Sequence, residues 1–320
     1  MSTLTGRSGR VYTEKQGIHK RTSDGNYTIT KATSENDTYV LKQVPWQVYE
    51  RSQRIATDLA ESRRLRLHVD CNDEHKILVH PYMRENLLTL VTRSVQPELD
   101  FHSRRKILRE VGEAIRELHH SGWVHNDLKP DNILVNWTND DRNHKIITDV
   151  ILGDFDISLK QGDADPRHEQ YAVGNVMWRS PEGQIGRRGT TMSDVYSFGL
   201  VFIFVLGGAD LLIIDDAQEL ARLDIIPEQY IVNRHFAYFG PVPQSFIDGL
   251  ADETWRQRFR QSADAAERMA AERPEMRLSY WGQDLGPEAL QLVAAMTSLE
   301  PATRPSIDEI MAHEWWTIDD

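Results

Sequence analysis

The stretch from Val124 to Val135, reading Val-His-Asn-Asp-Leu-Lys-Pro-Asp-Asn-Ile-Leu-Val, constrains this chain more than any other. It places an imidazole (His125), a carboxylate (Asp127), an ammonium (Lys129) and a carboxamide (Asn132) close together, then continues into apolar, β-branched residues. A carboxylate beside a Lys, with an amide oxygen shortly after, suits transfer of a group that carries several negative charges. The Asp can orient a hydroxyl and accept its proton, the Lys can neutralise developing charge, and the Asn oxygen can hold a divalent cation. The plainer reading is a polar loop ahead of a buried strand. It leaves unexplained why so many chemically apt residues stand at fixed offsets.

These residues resemble the protein-kinase catalytic loop, H-R-D-L-K-x-x-N, with Asn126 standing where the Arg belongs. The resemblance implies Asp127 as the catalytic carboxylate, Lys129 as its charge-neutralising neighbour and Asn132 as a magnesium ligand. Further on, the apolar strand Ile146 to Leu152 leads into Gly153-Asp154-Phe155-Asp156, similar to D-F-G with Asp156 in place of the Gly. Asp154 is then the second metal ligand. Asp156 takes positive φ less freely than Gly, which restricts this segment, or it adds a carboxylate near the metal.

The activation segment implied by the resemblance runs from Asp154 to Glu182. Its end, Met177 to Glu182, is similar to the W-Y-R-[AS]-P-E of the cyclin-dependent and MAP kinase group. Asn175 replaces the usual Thr, and Asn126 removes the Arg that grips an activation-loop phosphate, so little dependence on phosphorylation of this loop is expected. A helix predicted over Thr191 to Leu206 resembles the central helix of the kinase large lobe, which implies that Asp194 at its start fixes the catalytic-loop backbone. Leu299 to Ser306 is similar to the kinase C-terminal signature, which implies a buried pair between Arg304 and Glu182.

Upstream, Tyr27 to Thr30 and Thr38 to Val44 are strand-like, with Ser34 to Asp37 supplying turn chemistry. Tyr39-Val40-Leu41-Lys42 resembles V-A-I-K, which makes Lys42 the contact to the α- and β-phosphates. Gly25 falls at the third glycine of the G-x-G-x-x-G loop, but Lys20 and Thr22 occupy the first two positions. A helix is predicted from Trp46 to Leu67. Glu61 is its expected partner for Lys42, with Glu50 and Glu74 as competitors. His80 to Asn86 resembles the hinge that binds adenine. Pro81 lacks an N–H, so the donor is expected at Met83. Gly25, Val40, Tyr82, Met83 and Leu134 are thus the expected nucleotide contacts beside Lys42. A short helix from Leu87 to Ser94 follows, then an amphipathic one from Phe101 to His120, with Ile107, Val111, Ile115 and Leu118 on one face and Gly122 at its end. Trp255 to Arg277 reads as a charged, solvated helical insert.

Composition narrows the partners. The chain has 320 residues and a net charge of −12, which argues against direct nucleic-acid binding. An anionic nucleotide therefore needs locally placed cations and a metal. The single cysteine, Cys71, excludes an intrachain disulfide and suggests a reducing compartment, cytoplasmic or nuclear. Met1 to Arg10 reads as a flexible N-terminus without a secretory signal. The long apolar run Val195 to Ile214 is interrupted by Gly207-Gly208 and Asp210, which predicts a buried helix and turn with no membrane span.

The implied fold is α+β and two-lobed like a protein kinase. A small β-rich N-lobe covers residues 11–83 and a large, mainly helical C-lobe residues 84–316, with a tail at 317–320. The implied activity is transfer of the γ-phosphoryl group of ATP, with Mg2+, to serine or threonine hydroxyls of a protein substrate. Leu128-Lys129-Pro130 is the serine/threonine feature, while Trp178 leans the other way. Two alternatives stand beside it. One is a pseudokinase acting as a binding or regulatory module, suggested by the degenerate glycine loop and by Asp156. The other is a small-molecule kinase, since His-Asn-Asp-Leu is also similar to the choline-kinase loop; Lys129, Ser180-Pro181-Glu182 and Arg304 are not expected there. Nothing in the sequence indicates an oligomeric state.

Overall fold

The computed structural model describes residues 2–20, 27–92, 99–141, 144–163, 172–187, 189–208, 222 and 226–318. Six antiparallel strands open the chain: β1 (Thr3–Thr5), β2 (Val11–Lys20), β3 (Tyr27–Ser34), β4 (Asp37–Gln43), β5 (Asp70–Asn72) and β6 (Ile77–Pro81), in the order β1-β2-β3-β4-β6-β5. Alternation sets the two faces of this sheet. Tyr12, Ala32, Tyr39, Leu41 and Val79 gather into a small core on one side. Val40, between Tyr39 and Leu41, is also buried, so β4 is covered on both faces.

Residues 2–10 are not the flexible terminus expected. Leu4 is buried, and β1 pairs with β2 from Thr3↔Thr13 to Thr5↔Val11. Asp70 is the anchor: its carboxylate accepts from Ser8 N (3.1 Å), Ser8 Oγ (2.5 Å), Tyr12 Oη (3.0 Å) and Cys71 N (2.8 Å). Arg7 adds a fork onto Asp73 at 2.9 and 2.5 Å.

Helix α1 (Trp46–Asp58) buries Tyr49 and Ile55 and ends well before the expected Leu67. Its apparent continuation is captured by the large lobe instead. Arg66 N donates to Leu152 O (2.7 Å) and Leu152 N to Arg64 O (2.8 Å), which forces residues 64–66 into an extended path beside Leu152.

Past β6, strand β7 (Glu85–Asn86) and helix α2 (Leu87–Thr92) lead to α3 (Phe101–His120), whose bounds are those expected. Asp100 caps α3 by accepting from Ser103 N (2.7 Å), and Gly122, at φ 73°, closes the turn beyond it. Strands β8 (Trp123–Val124), β9 (Ile133–Asn139), β10 (Lys145–Leu152) and β11 (Leu159–Lys160) carry the site loops: β10 pairs with β9, β9 with β7, and β11 with β8.

Helices α4 (Pro181–Gln184), α5 (Thr191–Leu206), α6 (Pro227–Phe239), α7 (Gln244–Asp248), α8 (Glu253–Glu272), α9 (Gly282–Leu285), α10 (Pro287–Met296) and α11 (Ile307–Met311) complete the large lobe. Helix α5 is apolar nearly all round and accordingly buried, the condition for a helix at the centre of a lobe. It stops at Gly207, φ 121°; Asp210, the other expected interruption, lies outside the described residues. Among the described residues no helix is long and apolar enough to cross a membrane. The stretch Trp255 to Arg277 is mostly helical as expected, in α8, but is not solvated all round. That helix packs one side into the core through Phe259, Ala266 and Ala270.

Candidate active site

The β9–β10 hairpin brings the ends of two loops together. Ile133 faces Leu152 in the ladder, and Gly153 N donates to Asn132 O at 2.8 Å, so Asn132 and the Asp154 segment emerge side by side. The loop before β9 is fixed from below. Asp194, in the first turn of α5 and almost fully buried, accepts from His125 N (2.7 Å) and Asn126 N (2.9 Å) and lies 3.0 Å from His119 Nε2. This grip holds Asn126 at φ 67°, a left-handed geometry that Asn tolerates better than most residues. His125 is completely buried, and Phe155 packs edge-on against it at 5.3 Å.

Within the loop, Asp127 is held from three directions. Lys129 Nζ donates to its Oδ2 at 2.7 Å, Asn132 Nδ2 reaches the same oxygen at 3.2 Å, and Asn175 N donates to Oδ1 at 2.8 Å. Asn132 Nδ2 also donates to Asp127 O at 2.8 Å. Both contacts use the amide nitrogen of Asn132, which leaves its amide oxygen for a cation. Gly174, at φ 84°, makes the approach of the Asn175 segment possible: a Cβ there would sit 2.5 Å from Asn126 O.

The described residues after Asp154 are anchored by hydrogen bonds to the catalytic loop and to Arg179. Asn126 Nδ2 donates to Ile157 O (3.1 Å), Ser158 Oγ to His125 O (3.1 Å), and the half-buried Arg179 guanidinium to Val173 O (2.8 Å) and Gly174 O. Beyond them, Arg304 grips Glu182 with two parallel bonds of 2.6 and 2.9 Å, both side chains buried.

Across the cleft, Lys42 projects from β4 onto Asp154 (2.5 Å) and Asp156 (2.7 Å). Burial works against the Lys42 ammonium, but the two carboxylates outweigh it and raise its pKa. The two acids are pushed apart. Burial opposes ionisation of both, yet Lys42 holds Asp154 below the usual range, while burial and the neighbouring Asp154 charge lift Asp156 above it. Arg51, from α1, donates to the Asp156 carbonyl.

A cavity of about 170 Å³ lies between these faces. Ile29 and Val40 line it from the sheet and Leu134 from β9, apolar walls suited to a flat ring, with Lys42, Asn132 and Asp154 at the polar end. Arg66 and His80 line it as well. Burial holds His80 well below the usual imidazole range and lowers Arg66 to about 10; Arg66 Nε and His80 Nδ1 have no partner among the described residues. Gly153 makes room for Arg66, since a Cβ there would lie 3.1 Å from the Arg66 stem.

Lys42, Val40, Asn132, Leu134 and Asp154 thus meet around one cavity, with the Asp127–Lys129 pair tied to it through Asn132. Tyr82 and Met83 lie beyond β6 and are not among its lining residues. Tyr82 N–H is committed to Thr38 O at 3.1 Å, and the Tyr82 ring carries Lys31 Nζ at 4.0 Å. Gly25 and Thr22 lie outside the described residues. The expected Glu61–Lys42 pair is not present. Glu61 is exposed in the turn after α1, Glu50 on α1 and Glu74 between β5 and β6 are exposed too, and the carboxylates on Lys42 come from residues 154 and 156. Sequence reasoning missed Arg66 and Ser52 as cavity residues, and named His80 only as the first residue of the hinge segment.

For a divalent cation, the chain offers a carboxamide oxygen (Asn132) and a carboxylate (Asp154), hard oxygen donors of the kind Mg2+ takes when substrate oxygens and water complete its shell. The residues fit that group. Among the described residues, no cluster of three or more His, Cys, Asp or Glu forms a dedicated metal cage.

A protein kinase domain model matches residues 25–316. Similar curated proteins include a calcium and calcium/calmodulin-dependent serine/threonine-protein kinase of Lotus japonicus, 22% identical over 65% of this chain and 30% of the relative. The L-type lectin-domain containing receptor kinase V.4 of Arabidopsis thaliana is 32% identical over 48% of this chain and 23% of the relative. The eukaryotic translation initiation factor 2-alpha kinase 1 of Rattus norvegicus is 27% identical over 58% and 28%. Each match spans less than a third of the relative's length. Among solved structures, a kinase-domain crystal structure has a TM-score of 0.69 at 14% identity, covering 98% of this chain and 96% of that one. The yeast RNA Pol II CTD kinase CTDK-1 complex gives 0.68 at 15% identity, covering 100% and 95%. At such identities these structures speak for the two-lobed fold.

Proposed function

This chain belongs to the protein kinase domain family, and from that premise we propose that it transfers the γ-phosphoryl group of ATP to serine or threonine hydroxyls of protein substrates, with Mg2+ as cofactor. The observation that carries the proposal is the Asp127–Lys129–Asn132 hydrogen-bonded set, joined through the β9–β10 hairpin to Asp154 and Lys42. Asp127 orients the substrate hydroxyl and accepts its proton, which its two acceptor oxygens suit. Lys129 neutralises charge on the moving phosphoryl group, and Lys42 positions the phosphates it leaves. Asn132 and Asp154 are the residues that would hold Mg2+, which supplies charge neutralisation on the phosphate oxygens. Lys129 supports the serine/threonine assignment. Cys71, buried and single, supports a reducing compartment, cytoplasmic or nuclear.

The test is radiolabelled phosphate transfer from ATP and magnesium to the protein itself and to a generic basic protein, with phosphoamino-acid analysis. Label on serine or threonine in wild type, lost in Asp127→Asn, is the expected result; label that survives the substitution overturns the assignment. One observation favours a second reading, a nucleotide-binding regulatory module: helix α1 sends no carboxylate to Lys42. Tight nucleotide binding without any transfer would favour it.

A further inference from the structure

Helix α1 carries two acidic residues, and neither serves the cleft. Glu50 is exposed, while Asp58 accepts from Trp123 Nε1 at 2.9 Å and pairs with Lys160. The side chain that α1 does place in the cavity wall is Ser52. Next to it, Arg51 reaches over to the Asp156 carbonyl, and the Asp156 carboxylate sits 2.7 Å from Lys42.

We infer that Asp156 is the positioning residue for Lys42, supplying from the loop after β10 the carboxylate that α1 lacks, with Ser52 at the place that carboxylate would otherwise fill. The inference rests on the kinase reading. Charge explains why a second acid is needed. Lys42 contacts both Asp154 and Asp156, but Asp154 is also the residue proposed for the metal. An Asp154 turned to a divalent cation gives up part of its hold on the ammonium, and Asp156 keeps it. A half-buried ammonium without a counter-ion would turn out of the cleft towards water. Arg51 completes the device by fixing the backbone that bears the carboxylate, so α1 acts on Lys42 through a guanidinium and a carbonyl.

The inference makes the family's own glycine harmful here. In the full chain, Asp156→Gly and the near-isosteric Asp156→Asn are expected to lower kcat/KM for ATP about 10–100-fold, the size of losing a partner that orients a functional side chain. Thermal midpoints check that both variants fold. Adding Ser52→Glu to Asp156→Gly restores a carboxylate from the helix side and is expected to recover most of the loss.

A second readout needs no catalysis. Calorimetric titration of the folded proteins with ATP, with and without magnesium, reads the hold of Lys42 on the phosphates. Loss of Asp156 is expected to weaken ATP binding about 10-fold, and Ser52→Glu to restore it. Unchanged affinity, or folded Asp156→Gly protein with wild-type kcat/KM, overturns the inference. Wild type that binds ATP without transferring phosphate, and loses that affinity in Asp156→Gly, refutes the kinase reading while leaving the Lys42–Asp156 pairing intact.

Discussion

Asp127, Lys129 and Asn132 come from one short loop of the large lobe, whereas the groups on Lys42 come from the loop after β10, with α1 holding that loop in place. The first face is fixed from beneath by one buried carboxylate, Asp194, which orders the whole loop through two backbone bonds. The second is held by long, flexible side chains meeting across a cleft. Groups delivered by one rigid loop cannot be relocated without moving the loop. A counter-ion for a lysine can arrive from any neighbouring element, since all it needs is proximity and charge. Chemistry is fixed on one side of this cleft and negotiable on the other.

The largest effect expected is on the fixed side. Asp127→Asn should lower kcat about 10²–10⁴-fold, the range for a general base, with nucleotide affinity and thermal midpoint nearly unchanged. Steady-state kinetics beside calorimetric nucleotide titration would show it, and comparable losses of affinity would blur the distinction between the two faces.

Next comes the buried pair beneath the substrate side. Arg304→Ala or Glu182→Ala leaves one charge buried and unpaired, which should cost about 3–5 kcal/mol of stability in urea unfolding. A loss near that of a surface pair would mean that the segment is held mainly by Arg179 and Asn126.

Smaller still is a pH effect from His235, which is buried against Tyr196 (3.0 Å to its hydroxyl) and held by burial at a pKa of about 3. Its folded pKa lies below the unfolded value of about 6.5, so the unfolded chain takes up the proton first and stability falls as pH drops below about 6.5. The slope from this group is on the order of 1 kcal/mol per pH unit until protonation of the folded state catches up near pH 3. His235→Asn should flatten the fall in thermal midpoint between pH 6.5 and 4, and an unchanged slope would assign it to other groups.

The smallest effect should come from phosphatase treatment. Two of the hydroxyls between Asp154 and Glu182, Ser158 and Ser180, are buried, and Asn126 already bonds the segment backbone. Activity should change less than about twofold, because no Arg stands beside Asp127 to turn a phosphate into order. A strong loss in wild type would move the segment to the negotiable side of the comparison.

What the sequence disclosed divides along the same line. Helices α3 and α5 were legible to the residue because the apolar pattern of each stops at a glycine, Gly122 just beyond α3 and Gly207 at the end of α5. Helix α1 was overextended because residues 59–67 have helix-compatible composition, and only their backbone bonds to Leu152, far along the chain, decide otherwise. Lys42, Asp127, Lys129, Asn132 and Asp154 stood out because each sits in a contiguous motif. Ser52, Arg66 and His80 did not, since lining a cavity depends on which distant elements meet there. Glu61 failed for that reason too: spacing suggested it, and the end of α1 at Asp58 turned it away. The charges of α8 masked a buried face that only α6 and its neighbours reveal.

The strands ahead of the family match have a practical consequence. Residues 25–316 match the protein kinase domain, yet β1 and β2 lie before residue 25. A chain trimmed to that match would strip two strands from the sheet and bare the edge of β3, with Ala32 losing the cover of Tyr12. An unpaired edge with apolar neighbours invites pairing with other copies, so the shortened protein should be recovered as soluble aggregates or inclusion bodies, while the full chain stays dispersed. Poor behaviour of such a fragment would reflect a missing selvage of the sheet and would say nothing about the chemistry of the cleft.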